Sequence, residues 1–520
     1  MKRYLLLLLI LLSGLTRAQS WNGKLFVPED KGYHPENIIG YAHKSFYTAL
    51  VLPTSGSASP TITLCRFDSA FKATGEASFS ALHLKDGTYD FYTWLFLDER
   101  LYFFYTRYKK GTRYLIAAEV DLKALKLKGT YEHISSSVKT MPSEYINGHF
   151  DGDYYIVPSG SGQHFAVIYI ENKVTKAILF DAELKKLWTS EYNVNVFGFL
   201  LDVRVRHDGR IYLLHRNNMT PPESWMLAEL DSGTASGHLI PNEEKEFNRG
   251  AIGFTPAGDP FVAGYYNYYK DAYFRIRNAG TWFFSPSQNA GKVVLQPFSL
   301  ELLSRGQSDY QKNQLKKDFE KYGCAGAEGI YNFSLLVDEK GGIYLIGEEA
   351  WDISTGGNII ATLAFSAAAT ALSSQLTVVP VTGGGNLSIE NLLVTRLDSL
   401  GIMQQNTWVQ KKQVNDVHAG YYALAYNDSL YLFFNDHEDN ITDPPDNDAE
   451  VEKLRSTAKS VPVLIAVAAD GKKKQYLPFG IENNMQVYMR GALMSGSGVI
   501  FCLQVPGVGN VRTYGILGFY

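Results

Sequence analysis

Cysteine is scarce in this chain, which has three residues of that type, Cys65, Cys324 and Cys502, among 520. An odd count leaves at least one thiol free and argues against a disulfide framework. Cys65 and Cys502 lie within apolar strand patterns, where cysteine serves as a small core residue. The sequence has neither a Cys-x-x-Cys pair nor a Cys/His cluster with zinc spacing, so we predict no metal site.

An excess of positive charge is also absent. The formal net charge is -4, from 49 basic and 53 acidic residues, and this offers no basic footprint for nucleic acid. No apolar run beyond the N-terminus approaches the roughly 18 residues that a membrane-spanning helix needs. We therefore expect no nucleic-acid partner and no membrane span.

Several catalytic motifs are missing as well. The chain has no Gly-x-Ser-x-Gly elbow, no His-Glu-x-x-His helix and no glycine-rich phosphate loop. These absences exclude the enzyme classes that depend on those motifs. They do not exclude catalysis by residues that are distant in sequence.

The N-terminus has the pattern of a secretory signal peptide over residues 1–18. Lys2 and Arg3 are followed by the apolar run Leu5–Leu12 and by a small-residue cleavage site at Thr16–Ala18. The apolar run is too short to span a bilayer. The pattern predicts an exported protein that is secreted, periplasmic or held at the cell surface.

A short phrase recurs along the chain: alternating apolar residues, an Asp, a tight turn and another strand. The Asp residues of its copies are Asp68, Asp121, Asp181, Asp231, Asp398 and Asp470. Several copies are about 50–70 residues apart, which suits a four-stranded propeller blade with its loops. We assign each Asp a structural role, because its side chain can bond the backbone that follows the turn.

Each repeat can be divided into strands a, b, c and d. Eight b strands are predicted, near Ser45–Leu52 and beginning near Leu101, Phe165, Ile211, Pro260, Ile343, Leu430 and Val499. The last repeat lacks one strand, and the segment from Gly23 to Val27 can supply it. The pattern predicts an all-β fold over residues 21–520: a single closed β-propeller of seven or eight four-stranded blades with minor helical insertions.

Three segments interrupt the repeats. Ser308–Tyr322 is predicted to be a helix, with Ser308 and Gln311 at capping-box spacing and Gly323 as its stop. Insertions after strand b are predicted at about 354–388, which is Ala-rich, and at about 437–460, which is acidic and has a predicted helix at 449–458. Residues 376–381 favour a strand, yet we expect deletion of 356–384 to leave the fold intact because the insertion lies between strands.

The face that carries the b–c connections is the candidate functional face, because loops on a rigid scaffold commonly carry function. Side chains at the predicted starts of these connections are aromatic, charged or amide. The candidate binding residues are Tyr105, Arg107, His215, Arg216, Tyr265, Tyr266, Glu348, Glu349, Trp351, Asn435 and Asp436. Such residues suit stacking and hydrogen bonding to a sugar or peptide.

Two functions follow from this face. The first is an exported, monomeric, non-catalytic binding or scaffold protein that recognises a glycan or a protein partner. The alternative is a carbohydrate-active hydrolase or lyase that uses carboxylates on the same face, although the adjacent Glu348 and Glu349 point to opposite faces of a strand. The acidic segment is rich in potential calcium ligands, but it lacks the EF-hand order, so we predict no cofactor, with calcium as the alternative.

Four segments resemble a group of secreted bacterial proteins that have no assigned activity and are regarded as propeller-like. These segments are Glu390–Asp398, Trp408–Gln413, Tyr421–Leu424 and Leu430–Asp436. The resemblance extends over about residues 335–440. It implies the propeller fold and an exported bacterial protein, and it transfers no catalytic residue.

Overall fold

The computed structural model of the protein is nearly all-β. It describes residues 23–26, 37–52, 60–69, 72–138, 154–171, 174–193, 198–217, 224–242, 245–271, 274–288, 291–305, 307–352, 376–380, 387–414, 420–442, 451–455, 459–480, 486–495, 498–504 and 512–518. The predicted signal peptide lies outside these residues, as do residues 354–375, 381–386, 443–450 and 456–458 of the predicted insertions.

Within the described residues the strands form eight antiparallel sheets, numbered here along the chain. Strand β1 (Gly23–Phe26) belongs to the last sheet. The first four sheets contain the following strands. Sheet 1 contains β2 (Asn37–Ala42), β3 (Ser45–Leu52), β4 (Thr61–Asp68) and β5 (Ala73–Phe79); sheet 2 contains β6 (Leu82–Leu84), β7 (Gly87–Leu97), β8 (Arg100–Lys109), β9 (Thr112–Asp121) and β10 (Lys126–Val138); sheet 3 contains β11 (Tyr155–Pro158), β12 (His164–Glu171), β13 (Val174–Asp181) and β14 (Lys186–Asn193); sheet 4 contains β15 (Gly198–Val205), β16 (Ile211–Asn217), β17 (Ser224–Asp231) and β18 (Thr234–Ile240).

The remaining sheets continue the series, except that two strands join sheets out of chain order: β25 belongs to sheet 7 and β1 to sheet 8. Sheet 5 contains β19 (Glu246–Phe254), β20 (Pro260–Asp271), β21 (Phe274–Phe284) and β22 (Val294–Pro297); sheet 6 contains β23 (Ile330–Val337), β24 (Ile343–Asp352), β26 (Leu387–Leu397), β27 (Met403–Val409) and β28 (Gln413–Val414); sheet 7 contains β25 (Leu376–Pro380), β29 (Gly420–Tyr426), β30 (Ser429–His437), β31 (Ser460–Ala468) and β32 (Lys473–Tyr476); sheet 8 contains β33 (Gln486–Ser495), β34 (Gly498–Gln504), β35 (Arg512–Gly518) and β1. The helices are α1 (Leu300–Ser304), α2 (Asp309–Tyr322) and α3 (Glu438–Thr442).

The eight predicted b strands are confirmed, one in each sheet, as β3, β8, β12, β16, β20, β24, β30 and β34. Tight turns precede several of them. Asp98 and Glu99 both have positive φ angles, as do Asn427 and Asp428. Two successive left-handed residues make the two-residue hairpin whose twist matches that of the strands.

The structural role of the recurring Asp residues is also confirmed. Asp181 Oδ1 accepts hydrogen bonds from the backbone N–H groups of Glu183 and Lys185, at 3.0 and 2.9 Å. The other five make equivalent bonds to the turns that follow them, namely Asp68, Asp121, Asp231, Asp398 and Asp470. The repeated carboxylate therefore shapes a repeated turn.

Strands from the two ends of the chain meet in sheet 8. Strand β1 pairs antiparallel with β35, with Gly23 opposite Leu517 and Phe26 opposite Tyr514. The predicted contribution of the N-terminal segment to the last sheet is confirmed.

The hydrophobic core lies between neighbouring sheets. One buried cluster joins sheets 1 and 2, and others join each following pair up to sheets 6, 7 and 8. Because both faces of a sheet are covered, a central strand can be buried on successive residues. All of Leu101–Tyr105 in β8 are buried, which explains why these strands appear as continuous apolar runs.

Helix α2 matches its sequence signals. Ser308 and Gln311 form the capping box at its start, and Gly323 ends it in the left-handed conformation. The helix predicted at 449–458 is wrong over residues 451–455, where Leu454 instead exchanges backbone hydrogen bonds with Lys412 and Val414. A short helix, α3, lies at the start of that insertion. No helix in the described part of the chain is long and apolar enough to cross a membrane.

The insertion after β24 corrects a further expectation. Its residues Leu376–Pro380 form the predicted strand, but this strand pairs with β29 and is the first strand of sheet 7. The expectation that the insertion lies only between strands is therefore wrong. The β-branched residues Thr377, Val378 and Val379 favour an extended backbone, and β29 offers a strand edge for them to pair with.

Candidate functional site

The candidate face is the set of sheet ends at which strands b and c connect. Here the b strands extend further than the sequence pattern indicates: β8 continues to Lys109, β20 to Asp271 and β30 to His437. Residues predicted to begin the loops are therefore strand residues. The described candidates among them are buried, apart from Arg107 and Arg216, which are partly exposed.

The three candidate tyrosines, Tyr105, Tyr265 and Tyr266, belong to the core between sheets. Tyr105 and Tyr265 are fully buried, and burial raises the pKa of both phenols. Burial also raises the pKa of Tyr266 to about 12. In this arrangement they do not form an exposed stacking platform.

Arg107 binds a hairpin of its own sheet. Its Nη1 lies 2.8 Å from Asp86 Oδ2, and its guanidinium lies over the Tyr89 ring. Tyr89 donates a hydrogen bond to the same carboxylate, and this bond lowers the pKa of Asp86. Arg107 thus holds the β6–β7 turn against β8.

Arg216 belongs to a polar network between sheets 4 and 5. Its Nη2 lies 3.4 Å from Glu246 Oε1, and its guanidinium stacks over Trp225. The other Glu246 oxygen accepts a hydrogen bond from Asn267, whose Oδ1 accepts one from the Asn278 N–H. The network continues to the backbone carbonyl of Ala327, so it ties the b–c end of sheet 5 to the segment that enters sheet 6.

His215 lies on the opposite face of β16 and has no comparable network. It is 2% exposed, and its ring stacks on Tyr192 of sheet 3. Neither ring nitrogen has a hydrogen-bond partner among the residues that the structure describes. Burial lowers the pKa of His215 to about 4. The imidazole is therefore neutral at physiological pH.

Glu348 and Glu349 have separate partners, as expected of adjacent strand residues. Glu348 pairs with the ammonium of Lys411, and both side chains are fully buried. Glu349 accepts a hydrogen bond of 2.9 Å from Asn391. The two carboxylates do not share a partner among these contacts.

Lys411 is the centre of the most buried charged group in the described residues. Its Nζ donates to Glu348, to Gln413 Oε1 at 2.9 Å and to the Gly420 carbonyl at 3.4 Å. An ammonium has three N–H donors, and here each has an acceptor. Burial lowers the pKa of Lys411, and the Glu348 carboxylate opposes that shift.

Asn435 connects this group to sheet 8. Its amide exchanges two hydrogen bonds with the backbone of Val487, at 2.9 and 2.7 Å. The backbone carbonyl of Asn435 accepts a hydrogen bond from the side-chain amide of Gln413. We call Glu348, Lys411, Gln413 and Asn435 the Lys411 network; it spans sheets 6, 7 and 8.

Asp436 lies beside this network and fixes the base of the acidic insertion. It accepts hydrogen bonds from the His437 N–H and from Asn440, each at 2.8 Å. Asn440 also exchanges two hydrogen bonds with the backbone of Glu452. Burial raises the pKa of Asp436 to about 6, because the carboxylate has lost its hydration.

Among the described residues, Tyr108 and Tyr268 are two aromatic side chains that reach the surface here. Tyr108 is 60% exposed near the end of β8. Tyr268 is partly exposed, and the Lys245 ammonium lies 4.0 Å from the centre of its ring. The backbone of Trp351 continues β24, and its side chain lies outside the described set.

The structure therefore brings Glu348, Asn435 and Asp436 together around Lys411. Glu349 lies in the same strand as Glu348 but has a different partner, and the candidates from sheets 2, 4 and 5 lie at other sheet ends. Sequence reasoning missed Lys411, Gln413, Glu246 and Asn267. No periodicity distinguishes Lys411 from the adjacent Lys412, so no sequence signal separates the buried lysine from a solvated one. Among the described residues, no group of three or more His, Cys, Asp or Glu side chains is arranged to hold a metal ion.

Comparison with known proteins finds no matching family model and no matching curated protein. Solved structures do match. An uncharacterized protein from Listeria monocytogenes is 8% identical, with a TM-score of 0.35, over 80% of this chain and 91% of that one. The β-propeller domain of the Trilobed protease from Pyrococcus furiosus is 8% identical, with a TM-score of 0.33, over 87% of this chain and 98% of that one. TolB from Acinetobacter baumannii is 12% identical, with a TM-score of 0.27, over 74% of this chain and 83% of that one. These scores describe distant likenesses, and the description of the fold rests on the strand pairing itself.

Proposed function

We propose that this chain is an exported, non-catalytic binding or scaffold protein built on a single closed β-propeller of eight blades. In this proposal the b–c face recognises a glycan or a protein partner. The sheets are the blades, and export follows from the predicted signal peptide.

Contacts between strands of neighbouring sheets support the ring. Strand β2 contacts β7 and β33, and the series continues through β11, β15, β19, β23 and β25 back to β33. Pairing of β1 with β35 then completes the last blade with the N-terminal strand. Closure of this kind removes open sheet edges, which would otherwise invite aggregation.

The observation that carries the non-catalytic assignment is the saturation of Lys411. All three of its N–H donors have internal acceptors, and both it and Glu348 are fully buried. A group that holds three sheets together through complete hydrogen bonding has no donor left for a substrate. Recognition then depends on exposed groups of the same face, of which Tyr108 and the Tyr268–Lys245 pair are the described examples.

The carbohydrate-active alternative retains one favourable observation. Asp436 has a pKa raised to about 6, and a carboxyl group that is partly protonated near pH 6 can act as a general acid. A glycosidase also needs a second carboxylate at about 5–9.5 Å across a substrate cleft. Asp436 itself is occupied by two internal hydrogen bonds.

A glycan array together with a polysaccharide-hydrolysis panel on the mature chain separates these functions. We expect retention of a glycan or protein ligand without product release. Tyr108→Ala and Tyr268→Ala should each weaken binding, while Tyr310→Ala removes an exposed aromatic side chain on α2 as the control. Binding that is unaffected by both face variants would refute the assignment to this face.

The test for catalysis by these carboxylates measures polysaccharide hydrolysis by the variants Glu348→Gln, Glu349→Gln and Asp436→Asn. Turnover by the native chain that disappears in Asp436→Asn, with the melting temperature preserved, would establish the hydrolase or lyase instead. Turnover that survives all three substitutions would establish an enzyme and exclude these carboxylates.

A further inference from the structure

A cleft of about 200 Å³ lies between sheets 4 and 5, at the end of the sheets opposite the b–c connections. Its polar lining consists of Arg206, Arg210, Tyr212, Glu229, His238, Asp259 and Ser287. Arg206 and Arg210 flank the turn that precedes β16, and Asp259 belongs to the turn that precedes β20. The cleft therefore opens on the face that the proposed function does not use.

The two guanidinium groups are held in fixed positions. Arg206 pairs with Asp208 and donates to the Gly258 carbonyl of sheet 5 at 3.1 Å, which joins the two turns. Arg210 lies 2.9 Å from Glu229 and 3.2 Å from Asp231. Fixed, planar donors of this kind are preorganised for directional hydrogen bonds.

The charges that line the cleft are balanced. An anion that approaches Arg206 and Arg210 also meets Glu229 and Asp259, and a cation that approaches those carboxylates meets the guanidinium groups. Hydroxyl groups both donate and accept hydrogen bonds, so a neutral polyhydroxylated ligand can use donors and acceptors together. Leu227, Pro260 and Pro286 supply the apolar part of the lining, against which the C–H face of a sugar ring can pack.

We infer that this cleft binds a single ring of a neutral sugar. Its volume lies below the roughly 300–1,000 Å³ of sites for drug-sized ligands, which selects one pyranose ring rather than an extended oligosaccharide. The site is independent of the b–c face and of whatever that face recognises.

The test is titration of the full mature chain with the methyl glycosides of glucose, galactose, mannose and N-acetylglucosamine, followed by calorimetry and by NMR of the His238 ring. We expect at least one probe to bind with Kd of about 1 mM and to shift the His238 resonances. Ser287→Trp places an indole in the cleft from an exposed position and should weaken binding at least about tenfold. Ser399→Trp, at an exposed serine in a turn of sheet 6, is the matched control and should bind as the native chain does.

Glu229→Gln provides a second variant that keeps the side-chain shape, and it should also weaken binding with the melting temperature preserved. The inference fails if no probe binds below about 20 mM, if Ser287→Trp binds like Ser399→Trp, or if inorganic phosphate binds more tightly than every sugar. Tyr108→Ala should leave sugar binding here unchanged, so this site and the b–c face can fail separately.

Discussion

Sheets 4 and 7 differ in how the basic side chains buried in or beside them are accommodated. Sheet 4 is a plain four-stranded meander, and within the described part of the chain it buries His215 without a hydrogen-bond partner on either ring nitrogen. Sheet 7 receives a strand from the insertion after β24, and beside it Lys411 is buried with an acceptor for each donor. The imidazole avoids the larger cost of a buried charge by remaining neutral, but its ring nitrogens still lose their hydrogen bonds to water. The ammonium of Lys411 is buried with a full set of partners. The comparison teaches that keeping the charge of a buried base requires a complete set of hydrogen-bond partners, whereas a neutral buried base loses only the hydrogen bonds that it does not remake.

Replacing β25, the strand that sheet 7 receives from the insertion, should reduce the stability of the fold most. Exchange of Leu376–Pro380 for a Gly-Ser linker of equal length removes the pairing partner of β29, so we expect loss of cooperative unfolding in urea. Thr377→Val retains a β-branched residue and is the control. An unchanged unfolding midpoint for the linker variant would show that sheet 7 is stable without β25, as sheet 4 is without any added strand.

Breaking the Lys411 network should have the next largest effect. Glu348→Ala leaves a buried ammonium without its carboxylate, and loss of one partner of a buried pair typically costs about 3–5 kcal/mol. Urea unfolding followed by tryptophan fluorescence measures the change. Glu119→Ala removes the partly exposed partner of Lys128 and should cost less than about 1 kcal/mol.

The double variant Glu348→Leu/Lys411→Met sharpens this result. Replacing both charges with apolar side chains removes the unpaired ion, so we expect part of the lost stability to return. A double variant less stable than Glu348→Ala would show that the remaining hydrogen bonds of Lys411, rather than the ion pair, dominate.

His215 should make stability fall as the solution becomes acidic. Its pKa of about 4 in the folded chain lies below the ordinary value of 6.5, so between these values the unfolded chain binds a proton that the native chain does not. The contribution is complete above pH 6.5 and is lost progressively down to pH 4, by about 3 kcal/mol. His215→Phe should reduce the pH dependence of the unfolding free energy between pH 6.5 and 4. His133→Phe, at an exposed histidine, should leave that pH dependence unchanged.

Asp436 should change stability with pH slightly less than His215 does, and in the opposite direction. Its folded pKa of about 6 lies above the ordinary 3.8, so the native chain retains a proton that the unfolded chain releases between these values. Stability from this group therefore falls as pH rises from 3.8 to 6. Asp436→Asn keeps an acceptor for His437 and Asn440, and it should be more stable than the native chain at pH 8. Equal stability of the two at pH 8 would contradict burial as the source of the shift.

The architecture was accessible from sequence because turns and strands have local signals. The six recurring Asp residues and the run Leu101–Tyr105 specify a turn and a fully buried strand without reference to distant residues. The candidate site was less accessible. Tyr105 and Tyr265 are compatible with a surface platform or with a core, and only the length of the b strand decides between them. The partners of Lys411 come from three segments, Glu348, Gln413 and Gly420, whose meeting depends on the packing of whole sheets.

The pairing of β1 with β35 has a consequence for the timing of folding. The two strands are separated by about 490 residues, so at a synthesis rate of about 5–20 residues per second β1 exists for roughly 25–100 s before its partner has been made. Seven sheets can form from residues already synthesised during that interval, and the eighth cannot. Until its partner strand is available, an unpaired strand edge can pair incorrectly with another strand or another chain. A circular permutant that joins the native ends and opens the chain between β1 and β2 would make sheet 8 contiguous and abolish that delay.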